Sequence, residues 1–299
     1  MVTEQLPWND PRLSVSSDNP RKARYRALQS WYRQNALHAP HGQDRTGRPI
    51  GSLLAEEAVA ENPGLNFLHE DVGRYADARI PLGGALDERR LRHNMLSSQP
   101  LCFNIFGYLR GQGTVGPLLE RVFNLDIQKV ESVECESAPP KLEHLKDNTA
   151  FDAFVVYRSR SGKRGFLGIE TKYTESFSQQ EYRTDTYAEV AKSSGRFKEG
   201  AEERLWGHAT NQLWRMALLA SSLLRQGAYD TGQIAVLALE DDPGVRAAVE
   251  GLRCELLEPN SFLQSVTIEA FASECRALSN LADLAETFTK RYLDLSPLT

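Results

Sequence analysis

The chain has 299 residues, of which 41% are hydrophobic, and its 35 Lys and Arg stand against 40 Asp and Glu for a net charge of −5. These proportions belong to a globular protein with room for one large domain or two ordinary ones, and they exclude a collagen, a disordered chain and a coat of bulk positive charge on nucleic acid. No charged-then-apolar leader and no run of about 18 apolar residues occurs, so neither a signal peptide nor a membrane span is expected, and the cytoplasm is the expected compartment.

Charge is nonetheless uneven along the chain. Residues 12–48 hold eight Lys or Arg against two Asp. Within them, "DNPRKARYRALQSWYRQNAL" opens with Asp18 or Asn19 as N-cap and Pro20 at the first helical position, then repeats Tyr25, Leu28, Tyr32 and Ala36 at helical spacing. The spacing predicts a helix whose outer face is rich in arginine, Arg24 and Arg33 included. That face reads either as solvated surface or as a contact for nucleic acid. Residues 40–110 read as further helices broken at "NPG", "PLGG" and "SSQP", giving a helical N-terminal region, 1–110, packed on the domain that follows.

From residue 111 to 299 the pattern becomes α/β. A short helix, "PLLERVFNL", precedes three strand candidates, "DIQKVESVECES", "AFDAFVVYR" and "RGFLGIETKY". Residues 174–202 read as a loop with a helical turn or more. "ERLWGHATNQLWRMALLASSLLRQG" is the strongest helix signal, "GQIAVLAL" and "SVTIEAF" are strands, and "CRALSNLADLAETFTKRYLDL" closes the chain as one amphipathic helix. The order implies a mixed central sheet flanked by helices. The four cysteines form no CxxC pair, and His38 and His41 have no second ligand cluster beside them, so no structural zinc is expected.

One strand candidate carries charges where a core strand should be apolar. Glu170 and Lys172 share one face, and Leu167, Ile169, Thr171 and Tyr173 take the other. Asp152 is similarly isolated in the preceding strand. A three-residue loop, Arg160-Ser161-Gly162, with Gly162 in the left-handed conformation, makes residues whose numbers sum to 322 face one another, so that Asp152 opposes Glu170. A two-residue loop would put Asp152 on the wrong side. Adjacent carboxylates repel unless a cation or proton lies between them, and hard oxygen ligands suit Mg²⁺ or Mn²⁺ with a lysine beside the attacking water. On the following helix Gln212 shares a stripe with Leu205, Ala209, Met216, Leu219 and Leu223, so its amide faces the sheet and needs a partner there.

"FD", seventeen intervening residues and "ETK", set in a helix, three-strand, helix, strand order, resemble the PD-(D/E)xK nuclease superfamily over roughly residues 112–240. "LSSQPLCFNIFGYL" and "NQLWR" are similar to segments of a bacterial family within it described as restriction endonucleases. The resemblance implies a restriction-endonuclease-like fold and Mg- or Mn-dependent cleavage of DNA, leaving a 5′-phosphate and a 3′-hydroxyl, in restriction or defence. It implies Asp152, Glu170 and the Thr171 carbonyl as metal ligands, Lys172 as the catalytic lysine and Gln212 beside them. Glu120 stands either where some members carry an extra acid or as a surface carboxylate. Phe151 stands where the motif has proline. Arg158, Arg160, Lys163 and Arg164 read either as phosphate contacts or as a charged hairpin tip. Many nucleases of this type pair to cut both strands, so a homodimer is one state the resemblance allows. Two other classes stay open: a catalytically silent nucleic-acid- or partner-binding module of the same fold, and a metal-dependent hydrolase acting on RNA.

Overall fold

The computed structural model describes residues 6–178 and 180–299. They form two compact units, one within Met1–Tyr108 and Ala272–Thr299, the other Leu109–Phe271. In the first unit α1 (Pro20–Asn35) starts as its sequence predicts: the Asn19 side chain accepts from the Lys22 amide at 2.9 Å, and Pro20 occupies the first turn. The segment after it is not purely helical. β1 (His41–Gln43) and β2 (Pro49–Leu54) pair antiparallel, followed by the short helices α2 (Glu56–Glu61), α3 (Glu70–Arg79), α4 (Glu88–His93) and α5 (Ser98–Cys102). Strands of three and six residues are too short to impose a visible alternation on the sequence.

Arg33 is a correction to the expected arginine face. It is 1% exposed, its Nε donates to the Gly51 carbonyl at 2.9 Å and its Nη1 to that of Ala39, and burial lowers its pKa to about 10. It falls eight residues after Tyr25, on the buried stripe that Tyr25, Leu28, Gln29 and Tyr32 define, so helical phase decides its place over its charge. It is therefore closed to nucleic acid, whereas Arg24 on the same helix is exposed.

The second unit begins with α6 (Val115–Phe123), β3 (Lys129–Ser137), β4 (Phe151–Arg158) and β5 (Arg164–Lys172), and continues with α7 (Asp185–Ser194), α8 (Ala201–Leu205), α9 (Asn211–Arg225) and β6 (Thr231–Ala238). α10 (Pro243–Glu255), α11 (Pro259–Phe262), β7 (Leu263–Thr267) and α12 (Ile268–Arg276) follow, and α13 (Ala282–Tyr292) lies in the first unit. The five strands stand in the order β3-β4-β5-β6-β7, antiparallel from β3 to β5 and parallel from β5 to β7. This is the mixed sheet flanked by helices that the element order implies. No helix among the described residues is long and apolar enough to cross a membrane.

Several elements differ from expectation: the last four residues of "SVTIEAF" open α12 instead of extending β7, and the helix expected from Glu203 is split between α8 and α9, which starts only at Asn211. Residues 174–202 hold α7 and the start of α8, because Tyr187, Val190 and Ala191 at helical spacing are enough to bury one face of α7. Acidic residues near 241–258 conceal α10, whose first turn is capped by Asp242 accepting from the Gly244 and Val245 amides, both at 3.0 Å. The closing helix is two helices, interrupted at Ser279–Leu281, and the second of them belongs with the first unit although the sequence division places all of 111–299 together.

The hairpin between β4 and β5 has the three-residue loop. Ser159 donates its amide to the Lys163 carbonyl at 2.8 Å, Gly162 has φ of 81°, and the register runs from Arg158↔Arg164 to Ala153↔Ile169, each pair summing to 322. The even-numbered residues Phe154, Phe166, Ile234 and Val236 share one core with Leu213, Trp214 and Met216 of α9. Gly168 lies on that face, and a Cβ there would come within 2.4 Å of the buried Phe151 ring. Gly168→Ala should therefore destabilise the protein by about 1–3 kcal/mol, from overpacking, read as a lower urea midpoint with an unchanged slope.

Candidate active site

The rung beyond Ala153↔Ile169 brings Asp152 level with Glu170, at the end of the hairpin away from its loop. The Glu170 side chain faces α9. Asp152 Oδ2 accepts from the Thr171 backbone amide at 2.7 Å and from Thr171 Oγ1 at 2.8 Å, so a side chain takes over where the backbone ladder stops. That double bond to one residue holds the carboxyl in place.

Glu170 and Lys172 are 4% and 6% exposed. Glu170 Oε1 accepts from Lys172 Nζ at 2.7 Å and from Gln212 Nε2 at 2.5 Å. The other end of the Gln212 amide accepts from the Ser178 amide at 2.8 Å and faces Lys172 Nζ at 3.4 Å. Phe177 covers the lysine, with Nζ 4.8 Å from the ring centroid. Gln212 thus joins β5 to the segment that follows it, and both ends of its amide are used.

Glu136, which the sequence reading did not single out, completes the rung. It lies opposite Asp152 across β3 and β4, between the pairs Cys135↔Ala153 and Ser137↔Phe151. It is buried, and its φ of 54° puts a non-glycine residue in the left-handed region, a strain found where surroundings dictate a position. "VECES" offered only an alternating polar strand, and its polar positions gave no reason to prefer Glu136 over Glu134. Successive strands therefore carry Glu136, Asp152 and Glu170 at one level, about 10 Å from first to last at normal strand spacing.

Burial, then the charges of Glu170 and Glu136, push Asp152 well above the usual carboxylate range. Burial alone would lower Lys172, but Glu170, Asp152 and Glu175 outweigh it and hold the ammonium above the ordinary lysine value. Lys172 is therefore a cation and a hydrogen-bond donor. One cation among several buried acids leaves an excess of negative charge that a divalent ion would neutralise, and the donors are hard oxygens. Among the described residues no group of three or more His, Cys, Asp or Glu side chains is gathered at metal-binding range. A metal here would take the Asp152 and Glu170 carboxylates together with backbone carbonyl, water or substrate oxygen, as Mg²⁺ commonly does.

The remaining expected residues lie elsewhere. Glu120 accepts from the Ile127 amide at 3.0 Å and pairs with Arg160 at 2.5 Å, which lowers its pKa. Arg158 and Arg164 both bind Glu131, at 2.9 Å each, and Arg160 also binds Asp126 at 2.7 Å. These groups, with the exposed Lys163, mark the loop end of the hairpin. Six residues of strand separate Arg158↔Arg164 from the acidic rung, about 20 Å at normal rise. The structure brings Asp152, Glu170, Thr171, Lys172 and Gln212 together and leaves Glu120 and the hairpin basic residues apart from them; the arginines answer local carboxylates instead.

The sequence model of one protein family, described as the PD-(D/E)XK nuclease superfamily, matches residues 16–294. No curated protein and no solved structure matches the chain.

With Asp152 raised in the folded state, its contribution to stability is fully present below the ordinary aspartate value, about 3.9, and is lost as pH rises through the folded value. Without divalent cations, Asp152→Asn should accordingly raise the melting temperature at neutral pH and flatten the fall of stability above the ordinary value. A lower melting temperature at neutral pH would contradict the charge repulsion inferred for the rung.

Proposed function

The chain belongs to the PD-(D/E)XK nuclease superfamily, and on that premise we propose that it is a divalent-metal-dependent nuclease that hydrolyses DNA phosphodiester bonds at Asp152, Glu170 and Lys172. One observation carries the reading: Glu170 and Lys172 are buried together at the end of β5, with Gln212 bonded to Glu170 and with Asp152 of the neighbouring strand beside them, held by Thr171 between the two. A buried ion pair with its own amide clamp is a costly arrangement, and replacing it by apolar residues would often be neutral or stabilising. Its presence is accounted for by chemistry at that point.

Asp152, Glu170 and the Thr171 carbonyl would hold Mg²⁺ or Mn²⁺. When bound, the ion supplies positive charge beside the phosphate and a more acidic water. Thr171 fixes the Asp152 carboxyl through its amide and hydroxyl. Gln212 fixes Glu170, leaving the glutamate one orientation relative to the lysine. Lys172, kept protonated by its acid neighbours, donates hydrogen bonds to the attacking water or to the phosphate oxygen where charge grows. The same three functional side chains count against a silent binding module, which has no use for a buried Glu-Lys pair.

Purified protein should cut supercoiled, linear or single-stranded DNA with Mg²⁺ or Mn²⁺ and lose the activity in EDTA. Lys172→Ala and Asp152→Ala should abolish cutting, and Gln212→Ala should reduce it about 10–100-fold, as loss of an outer-shell partner does. RNA as the sole substrate cut would replace DNA in the assignment. Undiminished cutting by Lys172→Ala would remove the assigned centre.

A further inference from the structure

The cations of the hairpin are not placed to grip a substrate at the rung. Arg158, Arg160 and Arg164 are paired with acids at the far end of the hairpin, and Lys172 is bound by Glu170. A contact of another kind is built beside the site. Tyr182 is 40% exposed, more open to solvent than any other Phe, Tyr or Trp among the described residues. Its backbone is held from both sides by Asn211, the neighbour of Gln212: the Tyr182 amide donates to Asn211 Oδ1 at 3.2 Å, and Asn211 Nδ2 donates to the Tyr182 carbonyl at 3.0 Å.

The ring is backed as well. The Arg215 guanidinium, one turn after Asn211 on α9, lies 4.4 Å from its centroid. Arg215 is in turn tied to Thr149 Oγ1 at 3.2 Å and to Asp147 at 3.5 Å, on the segment that leads into β4 and Asp152. The Tyr182 hydroxyl donates to Gln180 at 2.5 Å. An aromatic ring that spends this much bonding on being held still, yet keeps a large part of its surface in solvent, is pre-organised for a flat partner. The next residue, Arg183, is exposed, lies over the Trp206 ring and pairs with Glu203 at 3.6 Å.

On the nuclease reading above, on which this rests, we infer that Tyr182, backed by Arg215, is a stacking platform for an unpaired nucleobase next to the scissile phosphate. Stacking needs a base whose face is free, so single-stranded or frayed DNA is the preferred substrate and fully paired duplex the poorer one. Stacking is also sequence-tolerant, because every base offers a flat face to the ring.

The test is binding by fluorescence anisotropy, in the full-length Lys172→Ala background with Mg²⁺, of a labelled single strand and the duplex of the same sequence, with and without Tyr182→Ala or Tyr182→Phe. Tyr182→Ala should weaken single-strand binding about tenfold, the loss of one base stack, while Tyr182→Phe keeps it. Duplex binding should be nearly unchanged in both. A fluorescent purine analogue in the single strand should be quenched by the tyrosine and phenylalanine forms and not by the alanine form. Unchanged single-strand affinity in Tyr182→Ala, or equal losses on both DNA forms, would overturn the platform while leaving the nuclease reading in place. Failure of the parent protein to bind or cut any DNA would overturn both.

Discussion

A strand alternates its side chains residue by residue, so the connection between β4 and β5 has to be right to a single position for Asp152 and Glu170 to meet. The loop of Arg160, Ser161 and Gly162 sets that register, and the glycine takes the left-handed conformation that the turn requires. The rest of the site is built outward from the pair so formed. Thr171 locks the aspartate, Lys172 neutralises the glutamate, and α9 crosses the same face at the height where Gln212 can reach them. The aromatic rings of Phe151, Phe154 and Phe166 stack at 5.2 and 5.3 Å and fill the α9 side of the sheet next to the rung. Their close packing leaves the carboxylates little room to move away from one another.

That crowding gives the site its electrical character. Glu136, Asp152 and Glu170 lie on adjoining strands with one buried ammonium near them, and the tension falls on Asp152, whose carboxyl is pushed upward by its surroundings. A protein has two ways to relieve such a site, by taking up a proton or by taking up a cation. The strained backbone at Glu136 and the doubly bonded Asp152 indicate that the acids are held in place against their mutual repulsion.

The geometry of the candidate site was legible where it depended on short range and strict period. The hairpin register follows from loop length and strand alternation, and the inward aim of Gln212 follows from helical phase. What stayed hidden was what tertiary partners decide. Arg33 carries a charge that suggests water, but its phase and the carbonyls of Gly51 and Ala39 take it inside. Glu120 sits on a helix of the right place and order, yet Arg160 claims it at the wrong end of the hairpin. Glu136 needed the β3–β4 register, which no turn residue announces, because thirteen residues, two of them prolines, separate those strands. α7 was concealed by composition, since its polar residues outnumber the apolar ones, and α10 by a thin buried stripe of Val245, Ala248, Val249 and Leu252.

The Gln212 amide has a direction. Its NH₂ end meets the glutamate, and its oxygen meets the lysine and the Ser178 amide. Turned over, it would set oxygen against carboxylate and NH₂ against two donors. The side chain therefore distinguishes Glu-x-Lys from Lys-x-Glu, and it passes the result to the backbone at Ser178, which keeps its bond only when the charges stand in the native order. The polarity of two strand residues is in this way written into the path of the chain that leaves the sheet.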